Sequence, residues 1–298
     1  MSSNVIPIVF IHIGDAPPDY IGTAIQQARK WNPMSPIVFI SSSFPEEEYA
    51  DEERILLSTL PVSTNHAKFL ENTRLSVDWR GGFWRVTTER LFVLEDWMRY
   101  KGITECVHLE NDIMLYTDLS ELVPIFRKTS AGLSTTFQGQ GVKLNQIRMC
   151  FSILYCCSIG ALSNFVASLV LNNRGIDEMQ LSGPYWQDTP EECSVLPTAP
   201  VGTLLVSETF RSWYENPEFS CIFDAAAHGQ FIGGIDPIHG DTTVGFVNRD
   251  TDFRSDQFLY GWSVDSFQRR YPILMDKVGN LWPIANLHIH CKRLEEFV

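Results

Sequence analysis

Residues 5–13 (VIPIVFIHI) form a nearly unbroken apolar run that stops at Gly14, the pattern of a parallel strand covered on both faces. Asp15-Ala-Pro-Pro18 breaks the chain. Ile21, Ala24, Ile25 and Ala28 then recur at helical spacing up to Trp31, and Asn32-Pro33 stops that helix. Pro36–Ser41 (PIVFIS) reads as a second buried strand, completing a βαβ unit with a right-handed crossover. Ser43 reads as the N-cap of a further helix, with Pro45 and Glu46–Glu48 in its first turn. Trp84–Tyr100 is a helix with Leu91, Leu94 and Met98 on one face, ended by Gly102. Glu105–Leu109 (ECVHL) is a strand. Asp118 and Glu121 form a capping box for a helix through Phe126, and Ala131–Phe137 is another strand.

Residues 149–173 hold no charge and are long enough to cross a bilayer. Serines, asparagines and the break at Ser158-Ile-Gly160 favour a buried strand, Cys150–Cys157, running into a helix, Ala161–Leu171. No transmembrane segment is therefore expected. Alternating strands and helices predict an α/β/α sandwich around a mostly parallel sheet. The later residues are richer in Gly, Pro and aromatics and less regular, so we expect one domain over 1–298 with an irregular C-terminal half.

Composition narrows the picture. At 298 residues the chain can bury roughly 75% of its unfolded surface. Its 44% hydrophobic and 20% charged content excludes a disordered, coiled-coil or collagen-like protein. The net charge of −13 argues against nucleic acid as a partner and requires a local cation wherever an anionic ligand binds. Seven cysteines, an odd number without a CxxC pair, fit reduced thiols better than a disulfide framework. Met1–Ile13 carries neither a basic leader nor a small-residue cleavage site, so no signal peptide and a cytoplasmic location are expected.

In open α/β sheets ligands bind beyond the carboxyl ends of the strands. His12 and Gly14, Ser41, and Glu110-Asn111-Asp112 lie at such ends. Two acids between buried segments suit a hard divalent cation, or else belong to a turn whose Asn and Asp satisfy the local backbone. In Asn286-Leu-His-Ile-His-Cys-Lys292, strand alternation puts His288, His290 and Lys292 on one face. They read either as a metal and anion site or as a half-exposed edge strand.

Thr88-Glu-Arg-Leu91 followed by VHLENDIMLY resembles the donor site of GT-A-fold glycosyltransferases, and IHCK resembles their C-terminal metal-binding histidine. HLEND, Phe223–Pro237 (FDAAAHGQFIGGIDP) and NLHIHCK together are similar to a group of such enzymes in bacteria and large DNA viruses. The resemblance implies a GT-A-like, Rossmann-type fold and a metal-dependent hexosyl- or pentosyltransferase. Residues 1–137 would bind the nucleotide sugar and 138–298 a glycan or other hydroxyl acceptor. By the same resemblance Asp112 and His288 or His290 ligate Mn2+ or Mg2+, with Glu110 at the first DXD position beside Asn111. Lys292 then lies near the β-phosphate and Arg90 faces the nucleotide. His12, Gly14 and Ser41 match the base and ribose pocket by strand-end position alone.

A carboxylate must take the acceptor proton if transfer inverts the sugar. Asp177, Glu178, Asp224 and Asp236 are candidates, with Asp224 first and Glu178 second. Asp224 and the Asp177-Glu178 pair read equally well as helix caps. A catalytically inactive glycan- or nucleotide-binding protein is the first rival. A nucleotidyltransferase is the second, disfavoured because acidic, proline-rich Gly14–Pro18 occupies the place of a phosphate-cradling loop. A metallohydrolase would need compact His/Asp clusters that are absent here.

Overall fold

The computed structural model describes residues 4–138, 148–172, 175–203, 211–233 and 258–298. Asp236 and the end of the Phe223–Pro237 stretch lie outside them. The main sheet is built from β1 (Ile8–His12), β2 (Ile37–Ser41), β3 (Glu53–Leu56), β4 (Cys106–Leu109), β6 (Leu133–Phe137), β7 (Met149–Cys156) and β8 (Cys193–Leu196). Its order is β3-β2-β1-β4-β7-β6-β8. β3, β2, β1 and β4 pair in parallel, as do β6 and β8, while β7 runs antiparallel between β4 and β6. The expected α/β fold with a mostly parallel sheet is what the chain adopts. Every residue of β2, β4, β6 and β7 is buried, as continuous apolar runs require in a sheet covered on both faces.

The helices are α1 (Tyr20–Trp31), α2 (Thr64–Asn72), α3 (Phe83–Lys101), α4 (Leu119–Thr129), α5 (Ile159–Leu171) and α6 (Glu178–Asp188). Their ends follow the local chemistry. The Asp118 carboxylate accepts from the Ser120 backbone N–H, Ser158 Oγ from that of Ala161, and Gly102 closes α3 in the left-handed region at φ 65°. Ser158 splits the uncharged stretch into β7 and α5. Among the described residues no helix is long and apolar enough to cross a membrane.

One expectation fails. No helix follows Ser43; residues 42–52 make bends that lead into β3. The buried Glu52 carboxylate accepts the N–H groups of Tyr49 and Ala50 and the Arg54 guanidinium, which also reaches the carbonyls of Pro45 and Glu47. These bonds hold the backbone in a turn, so the acidic run never becomes a helix start.

α2 packs on α3 through a buried ion pair. His66 Nδ1 lies 2.6 Å from Asp96 Oδ2, with Glu89 3.7 Å from Nε2. Burial disfavours the imidazolium, but Asp96 and Glu89 outweigh it and raise His66 to about 9. The folded state thus binds this proton more tightly than the unfolded chain does. The contribution is complete below pH 6.5 and is lost as pH rises through about 9. Denaturant unfolding should therefore show about 1–3 kcal/mol less stability at pH 9.5 than at pH 6.5, and His66→Gln should remove that part of the slope.

Residues after β8 add a short helix, α7 (His228–Phe231), and an antiparallel sheet of β9 (Leu259–Val264), β10 (Arg270–Met275) and β11 (Leu281–Pro283). β12 (Asn286–His288) then pairs antiparallel with β5 (Ile113–Leu115), matching His288 to Ile113. This two-stranded ribbon carries the late histidine back to the turn after β4.

Candidate functional site

β1 and β4 lie side by side, and their carboxyl ends open into a cleft of about 740 Å³. Asn111 Nδ2 donates to the Ile11 carbonyl at 2.9 Å and ties the two ends together. Glu110 and Asp112 flank Asn111. The ribbon sets His288 Nε2 3.1 Å from Asp112 Oδ2 and 3.6 Å from Glu110 Oε2. Ligand atoms of Glu110, Asp112 and His288 all lie within 4.8 Å of one another. Two carboxylate oxygens and an imidazole nitrogen suit manganese or magnesium, so these residues could hold a divalent ion.

The surrounding charges balance the acids. Arg90, on α3, contacts Glu110 at 2.5 Å, and the Lys292 ammonium donates to Asp112. Burial alone would raise both carboxyls. The Arg90 guanidinium instead keeps Glu110 below its ordinary value, and His288 with Lys292 keeps Asp112 well below its own. β12 ends at His288 and is followed by a turn closed by the Lys292 N–H donating to the Ile289 carbonyl; His288, His290 and Lys292 all line the cleft. The His288 and His290 rings stand 4.3 Å apart. Burial, then the His288 charge, lowers His290 to about 3. Among the described residues His290 Nε2 and Asn111 Oδ1, both buried, make no hydrogen bond, as polar atoms awaiting a ligand would.

Glu178 also lines the cleft, as the first residue of α6. Its carboxylate accepts the hydroxyl of Thr88, a buried residue of α3 two positions before Arg90. Burial and the neighbouring Asp177 push Glu178 up to about 7, against the pull of Thr88 and Arg90. Asp177 is the N-cap of α6, accepting from the Gln180 N–H at 2.8 Å. His12 lines the cleft, with its imidazole lowered by burial and by Arg90. Gly14 and Ser41 do not. Ser41 sits beside His12 in the sheet register but is wholly buried, and Gly14 lies on an exposed turn.

Asp224 is also not at the cleft. Its side chain is fully buried. One carboxylate oxygen accepts the N–H groups of Ala227 and His228 at 2.6 and 2.7 Å, the other those of Gly229 and His288 at 2.8 and 2.9 Å. A carboxylate with four backbone donors has no lone pair left to receive a substrate proton. Asp224 is instead the knot that fixes β12 and orients His288. Gly229 is required there, because a Cβ would meet the His288 carbonyl at 2.4 Å. Asp224→Asn should place an amide N–H against backbone donors and cost about 3–5 kcal/mol. That lowers the melting temperature by about 6–12 °C in a scan followed by circular dichroism. An unchanged melting temperature would contradict this structural role.

No protein-family model matches the chain, and no curated protein matches it. Similar solved structures do exist. Mouse xyloside xylosyltransferase 1 in its apo form matches at 10% identity and a TM-score of 0.47, over 70% of this chain and 93% of that one. The bifunctional glycosyltransferase WbbM matches at 15% identity and 0.42, over 65% of this chain and 39% of that one. The galactosyltransferase LgtC, solved with donor and acceptor sugar analogues, matches at 12% identity and 0.39, over 71% and 84%. All three are glycosyltransferases.

Several cleft residues escaped the sequence reading: Tyr20, Trp79, Phe83, Trp84, Gln138 and Arg148. Tyr20 lies under the Lys292 ammonium, 5.6 Å from ring centroid to Nζ. The aromatic group had a signal, Trp79-Arg-Gly-Gly-Phe-Trp84, in which a Gly-Gly turn brings rings from both sides together.

Proposed function

We propose that the protein transfers a sugar from a nucleoside-diphosphate donor to a hydroxyl acceptor, assisted by a divalent cation. The observation that carries this reading is the convergence of Glu110, Asp112 and His288, flanked by Arg90 and Lys292, on the floor of a cleft that also holds a carboxyl raised to about 7. This donor set fits manganese or magnesium, whose bound charge would offset the negative charge that develops on the leaving diphosphate. Such a local cation reconciles an anionic donor with a chain of net charge −13.

The protein's own groups divide the remaining work. Arg90 holds Glu110 in place, and Asp224 holds His288. Lys292, which donates to Asp112, would supply an ammonium to the β-phosphate of a bound donor. Glu178 accepts the proton of the attacking hydroxyl, a task suited to a carboxyl poised near neutral pH. Residues 1–137 supply most of the donor side.

Thermal denaturation with UDP, GDP, CMP and dTDP, each with and without manganese, tests the reading. One diphosphate at about 100 times its Kd should add about 2.7 kcal/mol, raising the midpoint by about 5 °C, only when manganese is present. No shift with any nucleotide in the folded protein would refute it.

A further inference from the structure

One face of α3 forms a wall of the cleft: Phe83, Trp84, Val86, Thr87 and Arg90 all line it, at helical spacing. Along the helix axis the contacts of α3 come in a definite order, with Thr88 reaching Glu178 from outside that lining face. Arg90 meets Glu110 at the cation end, Thr88 meets Glu178 in the middle, and Phe83 and Trp84 lie at the far end. At about 1.5 Å per residue, Phe83 lies roughly 10 Å along the helix axis from Arg90.

The far end is a shelf of aromatic rings. Trp79 and Trp84 stack nearly parallel, 9° between planes and 6.0 Å between centroids, and Phe83 packs edge-on against Trp84 at 5.0 Å. Trp79 and Phe83 remain 47% and 40% exposed. A strained turn presents them. Arg80, Gly81 and Gly82 are three successive residues in the left-handed region, at φ 49°, 65° and 79°. Arg80 is a costly residue to hold there. Its guanidinium lies over Trp79 and Phe83, 5.4 and 5.1 Å from their centroids.

The geometry points to this shelf as an acceptor subsite that stacks a sugar ring, so that the acceptor of the proposed transfer is a saccharide. The inference rests on the transferase reading above. In a nucleoside-diphosphate sugar the reacting carbon lies between the diphosphate and the acceptor, while the nucleoside lies on the other side of the diphosphate. The shelf stands across Glu178 from the cation end, which is the acceptor's side. A pyranose suits it. Its axial C–H groups give one flat apolar face for the rings, and its equatorial hydroxyls reach outward to groups such as the Arg80 guanidinium. The acceptor site then includes residues of the first half of the chain as well as of 138–298.

Isothermal titration of wild type, Trp79→Ala, Trp79→Phe and Phe83→Ala tests this, with xylobiose, lactose, chitobiose and maltose as probes, in manganese plus the stabilising nucleoside diphosphate. At least one disaccharide should bind wild type. Trp79→Ala and Phe83→Ala should weaken it tenfold or more, Trp79→Phe should keep most of the affinity, and the diphosphate should bind all four proteins alike. The inference is overturned if no disaccharide binds while the nucleotide still does, or if Trp79→Ala weakens the nucleotide instead. If a disaccharide binds through Trp79 but no nucleotide binds, the shelf stands and the transferase reading falls.

Discussion

Asp112→Asn is expected to abolish the manganese-dependent stabilisation by a nucleoside diphosphate and to reduce transfer by about a thousandfold or more. The substitution keeps the side chain's size and one oxygen but removes the charge. Asp112 is the shared partner of His288 and Lys292. Without it Glu110 is the remaining acid against Arg90, Lys292 and any proton on His288, so the site repels a divalent ion instead of attracting one. The wild-type gain of about 2.7 kcal/mol at saturating ligand should fall to zero in the thermal scan. Direct titration with manganese alone should lose its binding isotherm. A variant that kept the full shift would place the cation elsewhere and remove the basis for the proposed function.

Glu178→Gln should lower the transfer rate by about 10²–10⁴-fold, the usual reach of a positioned base, and make the protein more stable at alkaline pH. Both effects follow from the burial that raises Glu178 from 4.5 to about 7. A raised carboxyl favours the folded state while protonated, and that contribution is lost as pH climbs from 4.5 through about 7. Glutamine never ionises, so above pH 7 the variant should gain about 1–3 kcal/mol over wild type. In wild type, transfer should rise with pH through about 7, and the variant should lose that limb. A variant with wild-type rates would exclude Glu178 as the base, whatever its stability.

The sequence and the structure part company along a physical line. Where apolar runs are long, the reading held: β1, α1, β2, α3, β4, β7 and α5 are fixed by burial on one or both faces, and burial leaves a periodic trace. Short elements leave none. β3 is four residues long, and the bend before it is held by the single buried Glu52, which binds its own near neighbours Tyr49, Ala50 and Arg54, a role that the run Glu46–Glu48 concealed. At the site, Glu110 and Asp112 were legible because they follow the buried strand β4, and Lys292 because polar and apolar residues alternate from Asn286 to Lys292. Ser41 fell away because a strand-end position does not say which way a side chain points. Asp224 looked like base or cap with equal reason, since both roles use a carboxylate near backbone N–H groups. Full burial away from the cleft, and the His288 N–H 64 residues away, separate them.

That distance has a counterpart in time. Asp112 and the imidazole it faces are 176 residues apart, so at about 5–20 residues per second a ribosome emits one roughly 9–35 s before the other. Arg90, Glu110 and Asp112 emerge close together, and all seven strands of the main sheet are encoded by Leu196. A nascent chain can therefore hold its central layer and its acidic pair, with Arg90 as counter-charge, well before the strand that supplies His288 has been made. Assembly of the cleft floor is thereby a late event in the life of the molecule, coupled to completion of the ribbon and not to formation of the sheet.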